Sequence, residues 1–203
     1  MTPPPASKAK RQRDPAQKRQ RILKAAHAII RAEGVQGTTT SGIAKKAGVS
    51  QAIIFHHFGS KQGLLAAVAT EYGHGVARAI FAHAVPGVRP DLRPMIAGVF
   101  EYVRENGYLH DFLILGHDRS DRSSAFMTSR NVVIGALAQA FTMYETAGWI
   151  TVDDPAVAAV LMFGLVESAL TECFCRDVPV DAEAYIDACV QCIERALQMV
   201  EDR

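Results

Sequence analysis

TTSGIAKKAGVSQAIIFHHFGSK, residues 39–61, consists of two short segments of helical character separated by residues 47–49. A tight turn that contains glycine between two short helices is typical of a helix-turn-helix. We expect Thr39 to cap the first helix and Ile43 to pack the two helices together. The second helix is then free to lie in the major groove of DNA, which is about 12 Å wide.

The second helix is expected to present its first turn outward. It begins with Ser50, Gln51 and Ala52, and either Ile53 or Ile54 turns back into the core. Gln51 suits the edge of an adenine, because its amide group both donates and accepts hydrogen bonds.

The charge of the chain is divided unevenly along its length. Residues 1–61 contain 12 Lys and Arg against two acidic residues, whereas the remainder contains 10 Lys and Arg against 19 Asp and Glu, so the net charge is only +1. A basic segment joined to an acidic remainder indicates that one part binds nucleic acid or a membrane. The alternative is a solvated basic tail with no partner.

The rest of the chain is predicted to be helical, so the fold class is all-α. Apolar residues recur at helical spacing, no segment alternates as a half-buried strand does, and 49% of the residues are apolar. Helix ends are expected at Gly34, Asn106-Gly107 and Gly148, and helix starts at Ser60, Asp154-Pro155 and Asp181.

Residues 19–72 resemble the N-terminal part of the TetR family of bacterial transcriptional regulators. The run GVSQAIIFHHFGSK, residues 48–61, carries most of the similarity, because several features fall at the family's fixed offsets. Phe55 departs from the tyrosine that is more usual there, which removes one hydroxyl from the phosphate contacts. Gly42 is also unusual inside a short helix and is expected to weaken it by about 1 kcal/mol.

The resemblance implies three regions: a disordered basic arm over 1–18, a helix-turn-helix DNA-binding domain over 19–72, and a helical effector-binding and dimerisation domain over 73–203. The implied DNA-contacting residues are Thr40, Ser41, Lys45, Ser50, Gln51, Ala52, Phe55, His56, His57 and Lys61. The alternatives are structural or solvent roles: His57 packing on Phe58, Lys61 as an ordinary surface residue, and Lys45 and Lys46 as solvated charges.

The last two helices, about 154–175 and 181–201, are expected to form a homodimer interface. Residues 156–166, AVAAVLMFGLV, are apolar on all sides, which fits a helix that faces both its own core and a partner. Four small residues would allow close approach: Ala156, Ala159, Gly164 and Ala169. Gly73 and Gly75 indicate either a flexible joint between the domains or the end of the fourth helix.

An apolar effector pocket is the second expected site. Its candidate lining is Phe100, Phe112, Phe126, Met127, Phe141, Phe163 and Glu167. Plain core packing is the alternative for the aromatic residues. Glu167 and Glu172, on an otherwise apolar helix, either hydrogen-bond a ligand or a neighbouring group, or form an acid pair.

Neither metal nor cofactor is expected. His110, Asp111, His117 and Asp118 lack a recognised ligand spacing and are interpreted as surface residues around a loop. Cys173, Cys175, Cys189 and Cys192 are interpreted as small buried hydrophobic residues, with redox sensing and zinc binding as the alternatives.

The predicted function is that of a cytoplasmic repressor, released from a palindromic DNA operator by a small, mostly apolar molecule. Membrane insertion is not expected, because the longest apolar run has 11 residues, against roughly 18 to 20 for a span. The alternatives are a DNA-binding protein without an effector and an all-α enzyme with a basic tail. No catalytic motif favours the enzyme.

Overall fold

The computed structural model describes residues 15–115, 119–175 and 180–199, with side chains throughout except at 35–36, 111–112, 114–115 and 119–124. Within these ranges the chain forms helices and no strand, which confirms the all-α prediction. The helices are α1 (Pro15–Gly37), α2 (Thr40–Ala47), α3 (Gln51–Phe58), α4 (Lys61–Phe81), α5 (Leu92–Glu105), α6 (Gly107–Leu115), α7 (Arg119–Thr146), α8 (Pro155–Phe174) and α9 (Ala182–Ala196).

The first three helices pack with the beginning of α4 around a small apolar core. Ile43 and Ala44 of α2 and Ile54 of α3 are buried there. They meet Ile22 and Leu23 of α1, which are also fully buried. Ile54, and not Ile53, is therefore the residue of α3 that is fully buried.

Side-chain caps start the helices where the sequence predicted. The hydroxyl of Thr39 accepts a hydrogen bond from the amide of Gly42 at 3.0 Å, and Ser60 does the same for Gly63 at 3.0 Å. The carboxylates of Asp154 and Asp181 cap α8 and α9. These interactions satisfy amide groups that a helix leaves unpaired at its N-terminus.

Two predicted boundaries are wrong. Helix α1 already begins at Pro15, so the end of the expected arm over 1–18 is helical, and residues 1–14 lie outside the described residues. Helix α9 ends at Ala196, short of the expected 201, because Leu197 caps it and the backbone of Gln198 turns to a φ of 46°. Residues 200–203 also lie outside the described ranges.

Gly73 and Gly75 do not end α4, so that interpretation of the sequence is wrong, while the flexible joint stays a prediction. The helix continues through them to Phe81. A β-carbon at Gly73 would lie 2.8 Å from the carbonyl oxygen of Ser129 on α7. One at Gly75 would overlap the side chain of Tyr102 on α5. The two glycines therefore allow close packing of α5 and α7 on α4.

The C-terminal part is built around α4 and α7, which pack extensively along each other. Helix α5 packs on α4 and α9, and α8 packs on α7 and α9. Arg93 of α5 also pairs with Glu183 at 2.8 Å and Asp187 at 3.0 Å on α9. Because α4 belongs to both parts of the chain, it connects the helix-turn-helix to this helical body.

Helix α8 is buried on one side only. Ala159, Ala169 and Leu170 face the core, whereas Val157 and Leu161 are 54% and 60% exposed. Of the four small residues, Ala159 and Ala169 face inward, and Ala156 and Gly164 are exposed. We call the outward side, which includes Val157, Val160, Leu161 and Gly164, the α8 face.

Helix α8 is apolar over a longer stretch than the run of 11 residues in the sequence indicated. Within the described ranges, α8 is the one helix that is long and apolar enough to cross a membrane by length and composition. Its mean hydropathy over an 18-residue window is 1.7, because the two glutamates that follow the apolar run do not offset it. Such a composition is shared by buried helices of soluble proteins.

Candidate nucleic-acid interface and internal cavity

The turn between α2 and α3 is fixed by Gly48 and Arg21. Gly48 adopts a left-handed conformation (φ 64°, ψ 44°), which glycine reaches without steric cost. The guanidinium of Arg21 on α1 donates to the carbonyl oxygens of Ala47 and Gly48. Sequence analysis missed this role of Arg21, which holds the end of α2 against α1 and so sets the position of α3.

Helix α3 presents its first turn to solvent, as predicted. Ser50, Gln51 and Ala52 are exposed, while Ile54 anchors the opposite side. The hydroxyl of Ser50 forms no cap bond with the helix. The amide of Gln51 and the hydroxyl of Ser50 therefore both lie on the side of α3 that faces away from the protein.

The remaining candidate DNA contacts are on α2, on α3 and at the start of α4. Ser41, Lys45, Lys46 and His56 are exposed, whereas Thr40, His57 and Lys61 are half-buried. Phe55 of α3 is also 44% exposed, although its side chain is large and apolar. We call these residues, together with the first turn of α3, the basic face.

The ring of His57 lies 6.2 Å from that of Phe58, measured between centroids. The guanidinium of Arg19 lies over the ring of Phe58, 5.4 Å from the ring centroid. The position of His57 is therefore compatible both with packing on Phe58 and with contact with DNA. The contact with DNA stays a prediction.

A polar junction joins α1 to α4 and α6. His27 Nε2 donates to the carboxylate of Glu71 at 3.0 Å, and Tyr108 Oη lies 3.4 Å from His27 Nδ1. The guanidinium of Arg31 stacks 4.5 Å from the ring of Tyr108. Sequence analysis did not identify this junction, because its members are far apart in sequence and form no motif.

A cavity of about 90 Å³ lies inside the helical body. Residues of α4 to α9 line it, and most of them are aliphatic or aromatic. Phe126, Phe141, Phe163 and Glu167 line it as predicted. Since roughly 10–15 Å³ of this kind of volume holds one water molecule, the cavity has room for several.

Two predicted pocket residues, Phe100 and Met127, do not line the cavity. Phe100 is buried but packs edge-on against Phe174, 6.1 Å between ring centroids, and is not part of the cavity wall. Met127 is 42% exposed, because it lies on the outer side of α7. The side chain of Phe112 lies outside the described residues.

His110 is not a surface residue, which corrects its interpretation from sequence. It is 2% exposed and lines the cavity, where its Nδ1 lies 3.3 Å from Tyr72 Oη. Burial lowers the pKa of His110 to about 4, so the ring is neutral at neutral pH. The side chain of Asp111 and residues His117 and Asp118 lie outside the described part of the chain.

Glu167 is the acidic residue of the cavity wall. Its Oε1 lies 4.0 Å from His110 Nε2, and burial raises the pKa of its carboxyl group to about 7. Glu172, on the same helix, does not line the cavity. The structure therefore separates the two glutamates, and only Glu167 can meet a bound molecule.

Cys173, Cys189 and Cys192 are free thiols. Cys189 is buried, Cys173 and Cys175 are half-buried, and Cys192 is exposed, so burial of all four is wrong. Burial raises the pKa of Cys173 and Cys189, which disfavours the reactive thiolate. No group of three potential metal ligands occurs among the described residues.

Comparisons with known proteins bear on the N-terminal segment and on the fold. Residues 22–68 match the family described as bacterial regulatory proteins, tetR family. The HTH-type transcriptional regulator BetI of Stenotrophomonas maltophilia (strain R551-3) is 36% identical over 94 residues, which are 44% of this chain and 47% of that protein. The chain thus spans about half the length of this relative.

Solved structures resemble the whole described fold. A protein from Rhodococcus sp., described as a TetR-family transcriptional regulator, has a TM-score of 0.71 at 21% identity, covering 90% of this chain and 99% of that one. RolR in complex with resorcinol has a TM-score of 0.67 at 17% identity, covering 91% and 89%. At these identities the likeness concerns the fold alone.

Proposed function

We propose, from the match of residues 22–68 to the TetR family of bacterial regulatory proteins, that this chain is a sequence-specific DNA-binding transcriptional regulator. The observation that carries the proposal is the exposed first turn of α3, fixed from behind by Ile54 and by the turn at Gly48. The positive charge of the first 61 residues supports it, because DNA phosphates attract such a surface.

In this proposal, Gln51 contacts bases and the other candidates contact the DNA backbone. An amide side chain in a major groove forms paired hydrogen bonds with adenine. Lys61 is at the N-terminus of α4, where a lysine charge and free helix amides both favour phosphate. Thr40, Ser41, Lys45, His56 and His57 are on the same basic face.

We infer that two copies pair through α8 and α9. The exposed α8 face supports this, because contiguous exposed apolar side chains are costly in water and mark interaction surfaces. A two-fold dimer would place two α3 helices on one side of the DNA, about 34–36 Å apart or a multiple of that distance. Such an arrangement corresponds to a palindromic operator.

We also propose that the cavity binds a small, mostly apolar effector whose binding releases the protein from DNA. The apolar wall built from α4 to α9 supports this, and the similar fold of RolR holds resorcinol. Tyr72 and His110 of the wall are on α4 and α6, and the junction of His27, Glu71 and Tyr108 connects those helices to α1.

A regulator is favoured over the enzyme alternative, because the named relatives are transcriptional regulators. A soluble, cytoplasmic location is part of the proposal, since a DNA-binding regulator must reach its operator.

The proposal is tested by selecting duplexes from a random pool with the full chain and measuring affinity by fluorescence anisotropy. We expect Gln51→Ala to cost about 1–3 kcal/mol on the selected duplex and less on a scrambled one, whereas Lys61→Ala weakens both equally. Gln139→Ala, an exposed glutamine on α7, is the matched control. Failure to enrich any duplex would overturn the proposal, and identical behaviour of the Gln51 and Lys61 variants would overturn the roles given to them.

A further inference from the structure

The cavity has one polar place in an otherwise largely apolar wall. His110 Nε2, on α6, and Glu167 Oε1, on α8, lie 4.0 Å apart, too far for a direct hydrogen bond. Both side chains are mostly buried, with 3% and 20% of their surfaces exposed. The two atoms therefore form a fixed pair of polar groups on opposite sides of a narrow gap.

Neither of these two atoms has a hydrogen-bond partner in the part of the chain that the structure describes. A buried polar atom without a partner costs free energy, and most buried polar atoms in folded proteins are paired. Apolar side chains of similar size would fill the same positions without that cost. A polar pair at this place is therefore best satisfied by a bound group that supplies the missing partner.

The width of the gap suits one bridging oxygen atom. An oxygen that forms hydrogen bonds of about 2.8 Å to both atoms fits a 4.0 Å separation with an angle of about 90° at that oxygen. The donors and acceptors on the two side chains narrow the choice of ligand group further. If Tyr72 donates to His110 Nδ1, Nε2 carries the proton and donates, while an ionised Glu167 accepts.

The opposite protonation leads to the same ligand group. If Nδ1–H of His110 donates to Tyr72 Oη, Nε2 accepts, and a protonated Glu167 donates. Each arrangement presents one donor and one acceptor, which a hydroxyl group matches by donating once and accepting once. An ammonium group only donates and a carboxylate only accepts, so each leaves one of the two atoms unsatisfied.

We propose that the cavity binds a mostly apolar molecule with a single hydroxyl group, an alcohol or phenol, whose oxygen bridges His110 Nε2 and Glu167 Oε1. The inference rests on the proposed function, because it specifies the class of effector. The wall of α4 to α9 takes the apolar body of the molecule, and the hydroxyl sets its orientation.

The test compares four molecules that share one apolar body: 4-propylphenol, propylbenzene, 4-propylbenzylamine and 4-propylbenzoate. Binding to the full chain is measured by calorimetry and by the fluorescence of Trp149, whose ring lies 5.8 Å from that of Tyr144 in the cavity wall. We expect 4-propylphenol to bind at least about tenfold more tightly than propylbenzene, the gain of two modest hydrogen bonds.

Two variants locate the effect. Glu167→Leu removes the acceptor and is expected to abolish the preference for the phenol. Glu167→Gln keeps a donor and an acceptor and is expected to retain the preference, so it also controls for loss of folding. Glu145→Leu, at an exposed glutamate on α7, is expected to leave the ranking unchanged.

Equal affinity for propylbenzene, or tighter binding of the amine or the benzoate, would overturn the inference while leaving the effector cavity intact. A preference for the phenol that survives in Glu167→Leu would also overturn it. Absence of binding by all four molecules would reject both the inference and the effector cavity. DNA binding is measured in a separate assay, so none of these results decides whether the chain binds DNA.

Discussion

Replacing Glu167 by glutamine should change how the stability of the protein depends on pH. Burial raises the pKa of this carboxyl group from 4.5 to about 7, so the folded protein holds the proton more tightly than the unfolded chain does. The resulting stability is fully present below about pH 4.5 and is lost as the pH rises through about 7. At about 1.4 kcal/mol per pKa unit, the loss amounts to about 3 kcal/mol by pH 8.

His110 acts in the opposite direction. Burial lowers its pKa from 6.5 to about 4, so its contribution is present above about pH 6.5 and is lost as the pH falls through about 4. At pH 5.5, about 1 kcal/mol of the Glu167 loss has already occurred, and His110 is still largely neutral in the folded protein. The advantage of Glu167→Gln over wild type should therefore be smaller at pH 5.5 than at pH 8.

Urea unfolding at both pH values, followed by circular dichroism at one fixed protein concentration, measures this difference. We expect Glu167→Gln to exceed wild type by about 2 kcal/mol more at pH 8 than at pH 5.5, because part of the loss has already occurred at pH 5.5. Glu145→Gln removes the same charge from an exposed position and should show no such change. A Glu167→Gln effect that is equal at the two pH values would refute the argument that burial penalises the ionised carboxylate.

Two further predictions concern packing and assembly. Gly75→Ala should destabilise the fold by about 1–3 kcal/mol in thermal or urea unfolding, because the new methyl group meets Tyr102. The control Gly135→Ala, in open space on α7, should not destabilise the fold. An unchanged stability of Gly75→Ala would contradict the close packing. Leu161→Asp on the α8 face should yield monomers in sedimentation velocity, whereas Met143→Asp, equally exposed on α7, should not; a Leu161→Asp dimer would count against that interface.

The helix-turn-helix was predictable because its signals are local. Capping by Thr39 and Ser60 and the left-handed turn at Gly48 depend on a few neighbouring residues, and each occurs where the sequence indicated it. The same holds for Asp154 and Asp181, whose carboxylates start α8 and α9. Such interactions are decided by the backbone of a single helix terminus, so distant residues do not alter them.

Features that depend on distant contacts were not predictable in the same way. Gly73 and Gly75 looked like helix breakers, because glycine costs about 1 kcal/mol in a helix interior. Their role in packing is evident only from the structure, where Ser129 and Tyr102 occupy the space that a side chain at these positions would need. His110 was misjudged for the same reason, since its burial depends on α4 and α8 rather than on its neighbours in sequence.

Helix α4 offers a physical route from the cavity to the candidate DNA-contacting residues. It is continuous over 21 residues, so at about 1.5 Å per residue Lys61 lies about 21 Å along the axis from Gly75. A tilt of about 3° around Gly75 would therefore move Lys61 by about 1 Å, a large change for contacts with phosphate. A ligand that favours the tilted form by about 1.4 kcal/mol would weaken DNA binding tenfold. By linkage, DNA must then weaken ligand binding by the same factor. This route requires that α4 move as one body and not bend at its glycines.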